Sequence, residues 1–233
     1  MKPLAVLIAL SCSIGAYAQP ATLDGPFQVR YASNLTAGDS VVNITNTGAN
    51  GNSLFGPGFG GPAGNICVNV YAFSPDEQMV SCCSCLVTPN GIVSLSANND
   101  LVSNTLTGLR PDSIVIKLVA TGTGRSAPGV PTFNGSSCTN SAALVGTLFP
   151  VAGSGMLAWG TTIHAAPAAG VFTVTETPFL PAALQTNIEL GGNLSNTNEL
   201  TSLANRCVNI IGNGSTFGIC RSCRMGGLGG TKL

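Results

Sequence analysis

Charge is what this chain has least of. Of its 233 residues 8% are charged, nine acids against nine bases, for a formal net charge of zero, where about a quarter is usual. With no basic block, the electrostatic footprint for a phosphate backbone is missing, and nucleic acid is excluded as an expected partner. Histidine is nearly absent too: His164 is the single one, so no imidazole triad can hold a metal and no HExxH helix exists. A GxSxG nucleophile elbow is also lacking. Tryptophan occurs once and tyrosine three times, which restricts ring stacking to Trp159, Tyr31, Tyr71 and the phenylalanines; the three named positions are explained by strand packing. Beyond the first residues no apolar run approaches the roughly 20 residues a membrane helix requires. The chain is not expected to be an integral membrane protein.

What replaces charge is neutral polarity. The sequence holds 30 Gly, 20 Asn, 21 Ser and 22 Thr, which are assigned mostly to loops and outward strand positions. Disorder does not follow, because 44% of the residues are hydrophobic and can fill a core. The amino terminus, MKPLAVLIALSCSIGAYAQP, places Lys2 before an apolar stretch from Leu4 to Leu10 and a small-x-small site at Ala16-Tyr17-Ala18. That is the pattern of a secretory signal peptide over residues 1–18. The expected location is secreted or periplasmic.

Nine cysteines become eight once Cys12 leaves with the signal peptide: Cys67, Cys82, Cys83, Cys85, Cys138, Cys207, Cys220 and Cys223. An even set in an exported chain reads as disulfides, though sequence does not choose their pairing. Cys82/Cys85 and Cys220/Cys223 are each a CxxC. Two such pairs are the ligand set of a tetrahedral zinc site, which leaves metal binding, or redox chemistry at a CxxC, as the alternative. No cofactor and no catalytic residue is expected otherwise.

The dominant period along the chain is two. Phe27, Val29 and Tyr31 alternate with Gln28 and Arg30, Val42 and Ile44 with Asn43 and Thr45, while Leu157, Trp159 and Ile163 share the parity of Thr161. Further strands are expected over 66–73, 78–87, 92–97, 101–107, 113–120, 143–149 and 171–177. Turns at Pro89-Asn90-Gly91, Gly108 to Asp112 and Ala165 to Gly170 separate them. Two long loops follow from 46–65 and 121–141. From Thr197 to Ile211 the period changes: Leu200, Leu203, Ala204, Cys207, Ile210 and Ile211 form one helix face, capped by Ser195 or Thr197 and ended by Gly212. The expected fold is mainly β, a single-domain sandwich, immunoglobulin- or fibronectin-like or related, stapled by disulfides. Residues 19–194 form it, and residues 195–233 add one amphipathic helix and a cysteine-containing tail.

Chemistry-bearing residues are scattered. His164 lies on the opposite parity from Trp159 and Ile163, an exposed position near a turn. Asp76-Glu77 sits in a strand turn, and Asn98-Asn99-Asp100 has too little charge to favour calcium over a plain turn. A hydrolase built on His164 and Asp76-Glu77 is the remaining enzymatic alternative. Gly56, Gly58 and Gly61 match a dinucleotide spacing by accident, since prolines interrupt them and no helix follows. Five N-x-S/T sequons, at Asn34, Asn43, Asn134, Asn193 and Asn213, mark exposed loops.

Two blocks, ICVNVYAFSPDEQMVSCCSCLVTPNG (66–91) and FGICRSCR (217–224), resemble a group of uncharacterised secreted, cysteine-rich bacterial proteins. The resemblance runs over most of the mature chain; it implies export and brings no activity. Locally, LTGLRPDSIVIKLVAT (106–121) is similar to the strand, corner and strand of fibronectin type III modules, with Ile114 near the place of the corner tyrosine. The expected function is an exported structural or binding module that meets cell-envelope or matrix material, or its own copies.

Overall fold

The computed structural model describes residues 25–52, 64–105, 107–127, 130–133, 135, 138, 153–183, 188–190, 193–195, 199–208, 210, 220 and 223. The signal-peptide segment, the Gly56–Gly61 spacing, the strand expected over 143–149, and Thr197 and Gly212 lie outside them. In chain order the strands are β1 (Phe27–Ala32), β2 (Val41–Asn46), β3 (Ile66–Phe73), β4 (Met79–Val87), β5 (Ile92–Ser96), β6 (Ile114–Gly122), β7 (Gly124–Ala127), β8 (Val130–Thr132), β9 (Met156–Ala165), β10 (Phe172–Pro178), β11 (Leu180–Pro181), β12 (Ile188–Leu190) and β13 (Asn193–Ser195), followed by helix α1 (Glu199–Val208). One sheet runs β11-β1-β6-β3-β4 and the other β10-β9-β2-β5, with β7-β8 and β12-β13 as separate hairpins. Every pairing is antiparallel. The fold is a disulfide-stapled β-sandwich.

Between the sheets lie Ile66, Val68, Val70 and Ala72 of β3, Cys83, Cys85 and Val87 of β4, Ile114, Ile116, Leu118 and Ala120 of β6, and Val42 and Ile44 of β2. The other side of the five-stranded sheet is buried as well. There Leu200, Leu203, Ala204 and Cys207 of α1 cover Phe27, Tyr71, Met79, Cys82 and Val119. Two covered faces explain why β3 and β4 are buried almost throughout rather than at alternate residues. At the helix start Glu199 pairs with Lys117 Nζ at 2.7 Å, and the same ammonium lies 5.8 Å and 5.5 Å from the ring centres of Phe27 and Phe73.

Strand β1 inverts the expected facing. Gln28 (0% exposed) and Arg30 (6%) point between the sheets, whereas Phe27, Val29 and Tyr31 take the side toward α1, with Tyr31 60% exposed. Alternation fixes which residues share a face; it cannot say which face is wet when both are covered. Gln28 Nε2 donates across the sandwich to the Met156 carbonyl at 2.8 Å. Strand β9 is inverted for a linked reason. Met156, Ala158, Gly160 and Thr162 face inward, leaving Leu157, Trp159, Thr161 and Ile163 outward and half-buried. The Arg30 side chain fills the space opposite, so β9 carries Gly160 and Thr162 there, while the larger Met156 lies where Gln28 reaches its carbonyl. A Cβ on Gly160 would lie 2.8 Å from Arg30 Nη1.

Other expectations need correction too. No strand forms over the described part of 101–107: Leu101 ends a π-helical turn, Ala97–Leu101, and is fully buried with Val102. Part of the loop expected over 121–141 is the β7–β8 hairpin. Ser195 closes β13 instead of capping the helix. Nor are the neutral polar residues confined to loops. Asn69, deep in β3, donates to the Val119 carbonyl at 3.3 Å and accepts from Ser84 Oγ at 2.7 Å. Asn46 donates to the carbonyls of Gly64 and Val87.

Cys82–Cys207 ties α1 to β4 across 125 residues. Replacing both cysteines with serine should cost about 2–5 kcal/mol of stability. Hydrogen exchange should show the loss first in 199–208, with the strands between the sheets still protected.

Candidate functional site

The described cysteines all pair: Cys67–Cys138, Cys82–Cys207, Cys83–Cys220 and Cys85–Cys223. Their pattern follows from the pleat of one strand. Cys82 points to the α1 side, where its bridge joins the second core, while Cys83 and Cys85 share the first core with Cys220 and Cys223. The bulge between Ala72 and Phe73 lies before this stretch and leaves its alternation intact. The tetrad considered for zinc, Cys82, Cys85, Cys220 and Cys223, is therefore not brought together. Cys85, Cys220 and Cys223 do converge, their sulfurs within 4.8 Å of one another. Each of those sulfurs is already in a disulfide, and a disulfide sulfur has no thiolate to offer a metal.

His164 and Asp76 are not joined into an acid–base pair. His164 is exposed, with Nε2 2.9 Å from Thr175 Oγ1. It stands on the inward parity of β9, at the strand end where the side chains run out into solvent. Asp76 accepts from the Ser74 hydroxyl in the β3–β4 turn, where Glu77 has φ of +64°. The Ser74 hydroxyl, then backbone N–H groups, hold the exposed Asp76 carboxyl below its ordinary range. Asp100 accepts from the Ser96 N–H, and Asp39 from the Asn98 N–H and the Ser96 hydroxyl. These carboxylates cap backbone at the π-helical turn, a structural use of the Asn98-Asn99-Asp100 motif.

A cavity of about 470 Å³ opens beside the β3–β4 turn and is lined by Met79, Val80, Leu109, Pro111 and Ile210, with Asp76 and Arg110 among its polar groups. Nearby, Asp112 accepts from the Thr36 hydroxyl at 2.5 Å and the Thr36 N–H at 2.9 Å, which together hold its carboxyl below the ordinary range.

The surface with the most unusual composition is the outward face of the four-stranded sheet. Register sets Trp159 beside Asn43 of β2 and Pro178 of β10, and Asn43 beside Ser94 of β5. Ser94 Oγ donates to Asn43 Oδ1 at 2.7 Å, and Asn43 Nδ2 donates to Glu176 Oε1 at 3.3 Å. A polar line thus crosses the sheet next to the indole. Around it stand Leu157, Ile163, Ile92 (43% exposed), Phe172 (51%) and Val174 (61%). Glu176 is the one charged residue at the outward positions of these strands. A cavity of about 320 Å³ runs from Trp159 and Leu157 to Glu176, Pro178 and Phe179. Contrary to the packing expectation, Tyr31 is exposed and Trp159 is half-buried on a surface; only Tyr71 is interior. The signal that could have found this face is the strand β9 parity once β1 is known to turn its polar residues inward.

Two outcomes check this geometry. Partial reduction with stepwise alkylation should release the four stated pairs, and a Cys82 fragment linked to Cys220 or Cys223 would contradict them. For Asp112, a carboxyl whose value is lowered by folding stabilises the fold above its unfolded value, and that contribution disappears as pH falls through the lowered one. The unfolding temperature should therefore drop on acidification below about pH 4 less steeply in Asp112→Asn than in the parent chain. No protein-family model, no curated protein and no solved structure matches the chain, so its own side chains carry whatever is said of its function.

Proposed function

We propose that the chain is an exported structural or binding module that works outside the cytoplasm and holds uncharged envelope or matrix material against the outward face of its four-stranded sheet. Export is supported by the signal-peptide pattern over residues 1–18 and by four disulfides, which persist in oxidising compartments. None of the described helices is long and apolar enough to cross a membrane.

The observation that carries the reading is the composition around Trp159: an indole, exposed apolar groups, and the Ser94–Asn43–Glu176 line. Apolar surface rimmed by polar groups marks interaction sites. An aromatic ring beside neutral donors and acceptors suits a ligand with apolar faces and hydroxyl edges, because charge on the ligand would find almost no complement there.

Trp159 is the single tryptophan, so its fluorescence reports on this face alone. Full-length mature chain should co-sediment with an insoluble polysaccharide or envelope fraction, with a change in Trp159 emission, and Trp159→Ala should weaken binding about tenfold, or ~1.4 kcal/mol. Unchanged binding by Trp159→Ala, or none to any fraction, would remove the reading. Self-association lost on Val174→Lys would replace envelope material by a second copy of the chain.

A further inference from the structure

Arg30 is a cation placed between two sheets. It is 6% exposed, and among the described residues its guanidinium meets only hydroxyls: Nη2 donates to Thr162 Oγ1 at 2.7 Å, Nε to Thr177 Oγ1 at 3.2 Å, and Nη1 to Ser40 Oγ at 3.3 Å. Hydroxyl oxygens satisfy N–H groups but leave the charge uncompensated. A buried charge without an opposite one costs several kcal/mol, and buried charges are ordinarily paired. The acids adjoining its hydroxyl partners in sequence are engaged elsewhere, Asp39, beside Ser40, on Ser96 and Asn98, and Glu176, beside Thr177, on the opposite face with Asn43. Burial lowers the guanidinium's own value.

The seat of this cation is built. Gly160 lies directly against it, and an added Cβ there would come within 2.8 Å of Nη1 and 2.9 Å of Cζ. The slot is not closed on every side, because Thr177 belongs to β10, which is exposed along its whole length. Next along the same face, Thr162 pairs in register with Thr175 and Gly160 with Thr177. Thr175 Oγ1 is 2.9 Å from His164 Nε2. One face of β9 and β10 thus runs from a guanidinium through three threonine hydroxyls to an imidazole.

We propose that this face binds a small oxyanion group, a phosphate, sulfate or carboxylate, with the Arg30 guanidinium as its counter-charge, the Thr175 and Thr177 hydroxyls as donors, and His164 at its outer edge. Three of the five guanidinium N–H groups go to hydroxyls, which leaves its fork able to donate to oxyanion oxygens. This site is on the inward parity of β9, opposite to the Trp159 face, and is independent of what that face holds.

His164 is the single histidine, so one Cε1–Hε1 resonance of the full mature chain reports the site. At fixed pH, sodium phosphate, sulfate and acetate are each titrated against sodium chloride at matched ionic strength. The expected result is a saturable His164 shift with at least one oxyanion and not with chloride; phosphate and sulfate against acetate separates tetrahedral from planar groups. Arg30→Met should abolish saturation, and where it does not fold, Thr177→Val on the exposed strand should weaken binding about tenfold. A shift that merely follows ionic strength overturns the proposal. So does saturation that survives both variants, or no response at all, as expected if an acid outside the described residues already neutralises Arg30.

Discussion

The pleat of β4 is the constraint on which the rest depends. In Cys82-Cys83-Ser84-Cys85, neighbouring residues face opposite sides of the sheet. One strand therefore anchors α1 on one side and the tail at Cys220 and Cys223 on the other. The three bridges span 125, 137 and 138 residues of sequence, the separations at which cross-linking most restricts the unfolded chain. Cys67 on β3, next to Leu86 of β4 in register, adds the tether to Cys138. Helix α1, Cys220 and Cys223 are thus held on β4, one of the most deeply buried strands.

Scarcity of charge has a second consequence in the interior. Apart from Arg30 and Asp100, the buried amides and hydroxyls of this sandwich are met mostly by other neutral groups. Asn69 satisfies Ser84 and the Val119 carbonyl, Asn46 reaches two carbonyls where β4 ends, and Gln28 joins the sheets through Met156. Each such contact gains only about 1 kcal/mol, but leaving any one donor unpaired costs more than that, so the set fixes register more than it adds stability. The Lys117–Glu199 pair stands apart: it sits at the margin of the second core, where the ammonium also lies near two aromatic rings.

Much of the architecture was legible. Strands β2, β3, β4, β5, β6 and β10 lie close to where the strand pattern and turn residues place them, β2 through the alternation of Val42 and Ile44 with polar residues and β3 and β4 through apolar runs bounded by turns. Helix α1 follows from Leu200, Leu203 and Cys207 on one stripe. The failures share a cause. Hydrophobicity alone reverses the facing of β1 and β9: Phe27 is dry because a helix that begins 172 residues later (199 − 27) covers it, and Gly160 is dry because Arg30 lies on it; neither neighbour is visible locally. The short hairpins β7–β8 and β12–β13 carry too few residues for a period to register. The disulfide set was legible as a set, but its pairing needed the alternation of β4 and the position of α1 together. The Trp159 face and the Arg30 slot were missed because both depend on those two inverted strands.

That inversion also links the two surfaces of the second sheet. With the Arg30 guanidinium lying against Gly160, the inner side of β9 carries Ala158, Gly160 and Thr162 beside the buried Met156, while Leu157, Trp159 and Ile163 stand outside. The sheet thereby carries, on one side, an aromatic face with Glu176 as its one charged residue and, on the other, the Arg30 guanidinium with the hydroxyls of Thr162 and Thr177. A single arginine placed inward on β1 is thus tied to both: Gly160 leaves it room, and with Gly160 inward the parity of β9 sets Trp159 on the outer face and Thr162 on the inner one.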